Sequence, residues 1–245
     1  MSNALVIIPT YNEKENIAEI IRYVFSLTRD FDILIVDDNS PDGTAQIVLE
    51  LQSEFPSTLH LLNRAEKQGL GKAYIAGFEW ALANNYDYIF EMDADFSHPP
   101  DKLVNLLEVL ENNEADISVG SRYINGRINV VDWDLYRILL SYFASIYVRI
   151  ITQIPVRDTT AGFVGYKKKV LESFNFDEIE FVGYAFQIEM KFKAWKKGFT
   201  IKEVPIVFTD RIKGKSKMHG GIISEAIWGV LKMKWKSMFA KNGNQ

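Results

Sequence analysis

Short apolar runs alternate with segments of helical periodicity over roughly the first 120 residues, and this alternation restricts the fold more than any other feature of the chain. Residues 5–8 form an apolar run ended by Pro9, and residues 13–27 carry Ile17, Ile20, Ile21 and Val24 at helical spacing. A run at 33–36 follows, then a helical pattern over 42–54 with Ile47, Val48 and Leu51 on one face. The same reading gives a strand at 59–62, a helix at 71–84, a strand at 86–92, a helix opened by Pro100 and carrying Leu103, Leu106, Leu107 and Leu110, and a strand at 117–119. Strand–helix units of this length predict an α/β fold, a mostly parallel sheet with helices on both faces. Such sheets bind ligands in the crevice outside the carboxyl ends of their strands.

The second half is less regular. Residues 135–151 are apolar and aromatic, broken by Arg137 and Arg149; residues 158–166 read as a loop entering a strand, 184–197 as a helix, 200–208 as a strand and 222–241 as a final helix. No repeat or long linker divides the chain, so one domain over residues 1–217 with a C-terminal addition at 218–245 is the economical organisation. At 245 residues and 47% hydrophobic, the chain can bury a sizeable core. With no cysteine, disulfides, thiolate metal sites and cysteine nucleophiles are excluded. No stretch approaches the roughly 20 apolar residues of a membrane-spanning helix, and the N-terminus lacks the basic region of a signal peptide, which predicts a soluble or peripheral protein. A net charge of -4 argues against general nucleic-acid binding, although Arg211 and Lys213, Lys215, Lys217, Lys232, Lys234, Lys236 and Lys241 face only Glu225 in the tail.

The chemistry-bearing residues cluster where the predicted strands end. Asp93, Ala94 and Asp95 follow the fourth strand; two carboxylates flanking a small residue suit a hard divalent cation, Mg²⁺ or Mn²⁺, with substrate phosphates completing its shell. The same residues also suit a plain strand–helix loop in which Asp95 or Ser97 caps the next helix. Asp37 and Asp38 follow the second strand, where an acid can accept hydrogen bonds from a base or ribose, while Asn39, Ser40, Pro41, Asp42 and Gly43 have turn chemistry. Three clusters are basic or polar: Ser121, Arg122 and Tyr123; Arg157 through Phe163; and Arg211 through Lys217. Near a metal–diphosphate site their cations would stabilise a departing phosphate; in isolation each suits a surface ion pair. No dinucleotide-binding or P-loop glycine pattern occurs, and Gly69, Leu70, Gly71 and Lys72 lack the phosphate-loop spacing. His60, His98 and His219 have no metal-ligand spacing, and no serine lies in a nucleophile elbow.

Taken in order, Pro9-Thr10-Tyr11-Asn12-Glu13, Val36-Asp37-Asp38 with its turn, Asp93-Ala94-Asp95-Phe96-Ser97-His98-Pro99-Pro100 and Gly120-Ser121-Arg122-Tyr123 closely resemble the polyprenol-phosphate mannose synthases of glycosyltransferase family two, which have the GT-A fold. Asp158 through Phe163, Phe186-Gln187-Ile188-Glu189 and Arg211 through Lys217 are similar to the later motifs, so the resemblance runs from Leu5 to about Lys217. It implies a nucleotide pocket of Pro9, Tyr11, Glu13, Val36 and Asp38, with Asp93, Ala94 and Asp95 meeting the diphosphate and the two aspartates holding Mg²⁺ or Mn²⁺. It further implies that Arg122, Arg211 and Lys217 contact phosphate and that Asp95, Arg122 and Arg211 serve catalysis. Ser97 stands where some members carry a metal-binding glutamine, and Thr160 and Ala161 stand where Ser-Gly is common.

The implied reaction is inverting transfer of mannose from GDP-mannose to a polyprenyl monophosphate, by an enzyme held peripherally at the cytoplasmic face of a membrane. Ile222, Ile223, Ala226, Ile227, Val230, Leu231 and Trp235, with Trp228 and the nearby lysines, have the composition of an interfacial amphipathic helix, and equally of a helix packed on the domain. Two other readings stand beside this one. A family-two transferase could use UDP-glucose or a UDP-N-acetylhexosamine with a lipid-phosphate or glycan acceptor, and a non-catalytic subunit could keep the fold for nucleotide binding alone.

Overall fold

The computed structural model describes residues 3–124, 126–210 and 221–239, with the backbone alone at 184, 221–227 and 238–239. Strand β1 (Ala4–Thr10) lies at the centre of a seven-stranded sheet, flanked by β2 (Asp32–Asp37) and, on its other side, by β4 (Tyr88–Glu91). Beyond β2 comes β3 (Leu59–Asn63). Beyond β4 the order is β9 (Val164–Lys167), β5 (Ile117–Ser121) and β10 (Ile201–Pro205). All pairings are parallel except those of β9, which runs antiparallel between β4 and β5. Strand order therefore reverses at β1, with β2 on one side and β4 on the other, which opens a crevice at the carboxyl end of the sheet. Because β9 runs the opposite way, the loop that enters it, residues 157–163, arrives at that same end.

The expected elements are present, with edges shifted by a few residues. Strand β1 continues through Pro9, which lacks an N–H to donate but whose register with Val36 is kept. Helices α1 (Ile17–Phe25), α2 (Thr44–Leu51) and α4 (Lys102–Glu111) cover one face, packed on Val6, Ile8, Ile33 and Ile35. Helices α3 (Leu70–Ala83), α6 (Lys168–Glu172) and α7 (Tyr184–Lys196) cover the other, packed on Leu5, Ile7, Leu34 and Val36. Alternate residues of β1 and β2 thus feed opposite cores, which is why both strands read as unbroken apolar runs.

Past Ser121 the chain leaves the sheet in small pieces that the sequence did not suggest. Strands β6 (Tyr123–Ile124) and β7 (Arg127–Ile128) form a hairpin, and β8 (Val130–Val131) pairs with β11 (Phe208–Thr209). Helix α5 (Leu135–Thr152) starts at Asp134, whose side chain caps Arg137 N–H, and is tied to the domain by an Arg137–Asp210 ion pair of 2.6 Å and a Tyr123–Ser141 hydrogen bond of 2.7 Å. Against the expectation that no stretch is long and apolar enough, its 18 residues would suffice by length and composition alone to cross a membrane. Helix α8 (Gly221–Phe239) packs Val230 and Met233 on Val148 of α5 and on Phe181, Ala185, Ile188 and Phe192 around α7. Lys232 and Lys236 of α8 both pair with Glu180, so these two lysines have a carboxylate partner on the domain.

Candidate active site

Strand ends β1, β2 and β4 bring the first three motifs together. After β4, Asp95 is buried and its Oδ1 accepts from Ser97 N–H at 3.0 Å, while Asp93 is partly exposed. Between Asp95 and Ser97 the backbone passes through Phe96 at φ +61°, a conformation that costs a bulky residue on the order of 1–2 kcal/mol. The Phe96 ring is held edge-on against Tyr23 at 6.2 Å. His98, buried and stacked on Phe163, accepts a hydrogen bond at Nδ1 from Asp93 N–H at 3.1 Å. The ring proton therefore sits on Nε2, which lies 3.9 Å from Asp93 Oδ2. Burial pulls the His98 pKa below its ordinary value, so the ring is a neutral support for the acidic turn. Tyr74 of α3 places its hydroxyl 3.5 Å from Asp93.

The loops after β1 and β2 are laced to each other. Backbone N–H groups of Asn12, Glu13 and Lys14 donate to Ser40, Thr44 and Asp42, at 3.0, 3.1 and 3.1 Å. Asp37 is fully buried and accepts from Thr10, Ser40 N–H and the Ser40 hydroxyl, so this acid builds the turn. Asp42 accepts from Thr44 N–H at 3.0 Å where α2 begins; burial pushes its pKa up, but the hydrogen bonds from Thr44 and Lys14 override that and hold it low. Asp38, the expected ligand-binding acid, sits 3.0 Å from Arg64; burial raises its pKa against the opposing charge of Arg64. Tyr11 has Lys67 over its ring at 4.4 Å, and Glu13 accepts from the Asn16 side chain. Pro9 and Val36 are paired neighbours at the ends of β1 and β2. Arg64 and Lys67 were missed from the sequence, although both follow the carboxyl end of β3, the position that made the other residues conspicuous.

Arg122 sits at the end of β5, buried. Its Nε and Nη2 donate to both Asp158 oxygens at 2.7 and 2.6 Å, its own N–H to Asp158 Oδ2 at 2.9 Å, and Nη2 also to Thr160 at 2.8 Å. Burial pushes the Asp158 carboxyl up, and Arg122 outweighs it and holds the group below the usual carboxylate range. Rather than presenting its whole fork to the crevice, Arg122 ties β5 to the 157–163 loop, with Tyr123, Trp133 and Phe208 rings around it. Below this loop Lys191 of α7, fully buried, donates to the Ala161 carbonyl at 2.6 Å and to Gln187 O at 3.1 Å; Gln187 in turn donates to Glu91 at 2.9 Å. Burial pulls Lys191 down to about 8 and pushes Glu91 up to about 8. Neither residue stood out in the sequence, where Lys191 looks like a surface lysine of a polar helix. Arg211 and Lys217 lie outside the described residues.

One of the rejected motifs has another use. Gly71 donates its N–H to Val182 O at 2.8 Å, and a Cβ there would come within 2.8 Å of the Phe186 ring, so this glycine lets α3 approach α7. Asp93 and Asp95 supply hard oxygen donors, and among the described residues no group of three or more His, Asp or Glu side chains gathers to enclose an ion. That donor set fits a Mg²⁺ or Mn²⁺ whose shell is completed by a bound diphosphate and water, not one caged by protein alone.

Residues 5–174, which contain the acidic turn, the Asp38 loop, Arg122 and Asp158, match the model of glycosyl transferase family 2. The chain belongs to glycosyl transferase family 2. Membership of glycosyl transferase family 2 makes this chain a glycosyltransferase. Polyprenol monophosphomannose synthase of Mycolicibacterium smegmatis is 43% identical over 231 residues, 92% of this chain and 86% of that protein. Undecaprenyl-phosphate mannosyltransferase of Micrococcus luteus is 42% identical over 244 residues, 98% of each chain. Among solved structures, glucosyl-3-phosphoglycerate synthase from Mycobacterium tuberculosis, in complex with Mn²⁺, UDP and glucosyl-3-phosphoglycerate, superposes with a TM-score of 0.67 at 16% identity, over 94% of this chain and 79% of its own. A mannosyltransferase from Pyrobaculum calidifontis in complex with GDP-Man and Mn²⁺ gives 0.58 at 17% identity, over 99% and 76%. Within glycosyl transferase family 2 these likenesses establish the expected GT-A architecture.

Proposed function

We propose that the protein transfers mannose from GDP-mannose to a polyprenyl monophosphate, with inversion, at the cytoplasmic face of a membrane. The observation that carries this reading is identity of 42–43% over nearly the whole chain to two proteins named for mannose transfer to a polyprenyl phosphate. The site chemistry agrees with it. A lipid phosphate is already anionic at neutral pH, so its oxygen can attack the anomeric carbon without a strong general base. The nucleoside diphosphate leaves from the opposite side, and positioning the two substrates in line becomes the main task of the protein. Asp93 and Asp95 would hold a Mg²⁺ or Mn²⁺, which when bound neutralises charge on the diphosphate. Asp38, with Pro9, Tyr11, Glu13 and Val36, would seat the nucleoside in the laced loops. Arg122 would fix the 157–163 loop at the crevice, and Arg211 and Lys217 would bring further cations to the phosphates.

Membrane attachment would be peripheral. The outward side of α5 exposes Leu135, Tyr136, Phe143 and Ile150, and α8 adds Trp228 and Trp235, exposed at 73% and 60%. The ties of α5 to Asp210 and Tyr123 support a helix lying along the domain. The deciding experiment incubates the protein with GDP-mannose, UDP-glucose or UDP-N-acetylglucosamine, together with polyprenyl phosphate and Mg²⁺. Mannolipid formed from GDP-mannose alone is the expected result. Exclusive turnover of a UDP-sugar would overturn the assignment, and the absence of any transfer would favour a binding subunit.

A further inference from the structure

We propose that the cavity between the β6–β7 hairpin and α5 binds the phosphate of an anionic membrane lipid, apart from the transfer site. The cavity holds about 360 Å³ and is lined by Arg127, Arg149 and Arg157 with Tyr123, Tyr142 and Ile146; among the described residues no carboxylate lines it. The state of these arginines is what separates them from the others. Of the eight arginines in the described residues, Arg22, Arg29, Arg64, Arg122 and Arg137 each have a carboxylate partner. The three that line this cavity are the three without an ion pair among the described residues, and they come from the hairpin, α5 and the loop before Asp158. Three guanidiniums held around one hollow repel one another, and an anion bearing several oxygens relieves that repulsion with directed hydrogen bonds.

The surroundings select the kind of anion. A second cavity, of about 450 Å³, shares Ile146 and Arg149 with the first and continues along Ile150, Ile154 and Pro155. Arg149 therefore stands between a cationic hollow and one lined by Ile146, Ile150, Ile154 and Pro155 together with Gln153. A free phosphate would use only the first; a phosphate carrying hydrocarbon would use both. Ile150, at 70% exposed, and Phe143, at 59%, continue the apolar surface outward on the same helix. A basic pocket at the edge of an apolar helical face fits a lipid headgroup entered from the membrane side.

The inference rests on the membrane attachment proposed above, and the test separates the two. Full-length protein is floated with vesicles of phosphatidylcholine alone and of phosphatidylcholine mixed with phosphatidylglycerol. The mixed vesicles should bind it more tightly. Replacing Arg127, Arg149 and Arg157 together by Gln should weaken that binding on the order of 100-fold, about fivefold for each arginine. A charge-matched control, Lys102→Gln, Lys169→Gln and Lys202→Gln, should weaken it far less. Equal losses in the two triple variants would reduce the effect to net charge and overturn the site. Inorganic phosphate at millimolar concentration should compete poorly; if it displaces the protein fully, the hollow is a free-phosphate site and the inference fails. In detergent without phospholipid, a variant with Arg127→Gln and Arg149→Gln alone should keep its KM for polyprenyl phosphate, and a large rise there would place the acceptor itself in the cavity and overturn the separation. Failure of the unaltered protein to bind any vesicle would instead sink the membrane attachment on which the site depends.

Discussion

Asp95 does two jobs that a single substitution can separate. Its Oδ1 accepts from Ser97 N–H and so shapes the turn, while its charge serves the cation. Asp95→Asn keeps an acceptor oxygen in place and removes only the charge. Transfer should fall by about 100-fold or more, with the unfolding midpoint held within about 2 °C. An activity assay beside a thermal melt checks this, and retention of more than about a tenth of the activity would detach Asp95 from the chemistry. His98 offers a pH test at the same scale. Its folded-state pKa lies below the unfolded value of 6.5 because the ring is buried. Between those two values the unfolded chain holds the extra proton, so stability falls as pH drops below about 6.5 and levels off once the folded ring titrates as well. His98→Gln, which keeps an acceptor for Asp93 N–H, should flatten that acid limb in urea unfolding at about pH 5 against about pH 7. An unchanged slope would mean that His98 is not the group responsible.

At the scale of elements, the Arg122–Asp158 pair fastens β5 to the loop that leads into β9. Asp158→Asn leaves a buried guanidinium without its counter-charge and should cost about 3–5 kcal/mol in urea unfolding. Arg122→Met combined with Asp158→Leu should recover most of that stability, because the apolar pair needs no desolvation of charge. If the recovered double variant also transfers sugar, Arg122 is structural alone. The sequence made the first half of the fold legible because β1, β2 and β4 run through both cores and each helix buries one stripe. Asp93, Asp95 and Asp38 were legible for a related reason, since each directly follows such a run. What stayed hidden depends on contacts between distant segments. Arg122 is tied to Asp158, 36 residues away, a contact that no local pattern marks. Strand β9 reverses direction between β4 and β5, and nothing local in residues 164–167 marks it as antiparallel. The two-residue strands β6, β7 and β8 are too short to have a period.

For the molecule as a whole, the question is what α8 contributes. Its composition suits both an interfacial helix and a packed one, and the structure divides the two roles between its faces. Val230 and Met233 are buried against α5 and α7, and Lys232 and Lys236 hold Glu180, while Trp228 and Trp235 are largely exposed. Deleting residues 231–245 cuts into both faces at once, taking Met233 from one and Trp235 from the other, so stability and membrane binding should fall together. Met233 alone, once lost from its packed site, should cost about 2–5 kcal/mol. Trp228→Ser with Trp235→Ser removes exposed apolar surface and leaves Val230 and Met233 in place. That variant should melt as the parent does and bind GDP-mannose as the parent does, yet lose at least tenfold in affinity for phospholipid vesicles, since a large apolar side chain entering an apolar phase is worth about 1.5–3 kcal/mol. Because the tryptophans are uncharged, this loss should persist at high salt, where the contribution of the cationic side chains is screened. Vesicle binding that disappears in high salt for the parent and the double variant alike would show that charge alone holds the protein to the membrane and that the exposed tryptophans serve some other contact.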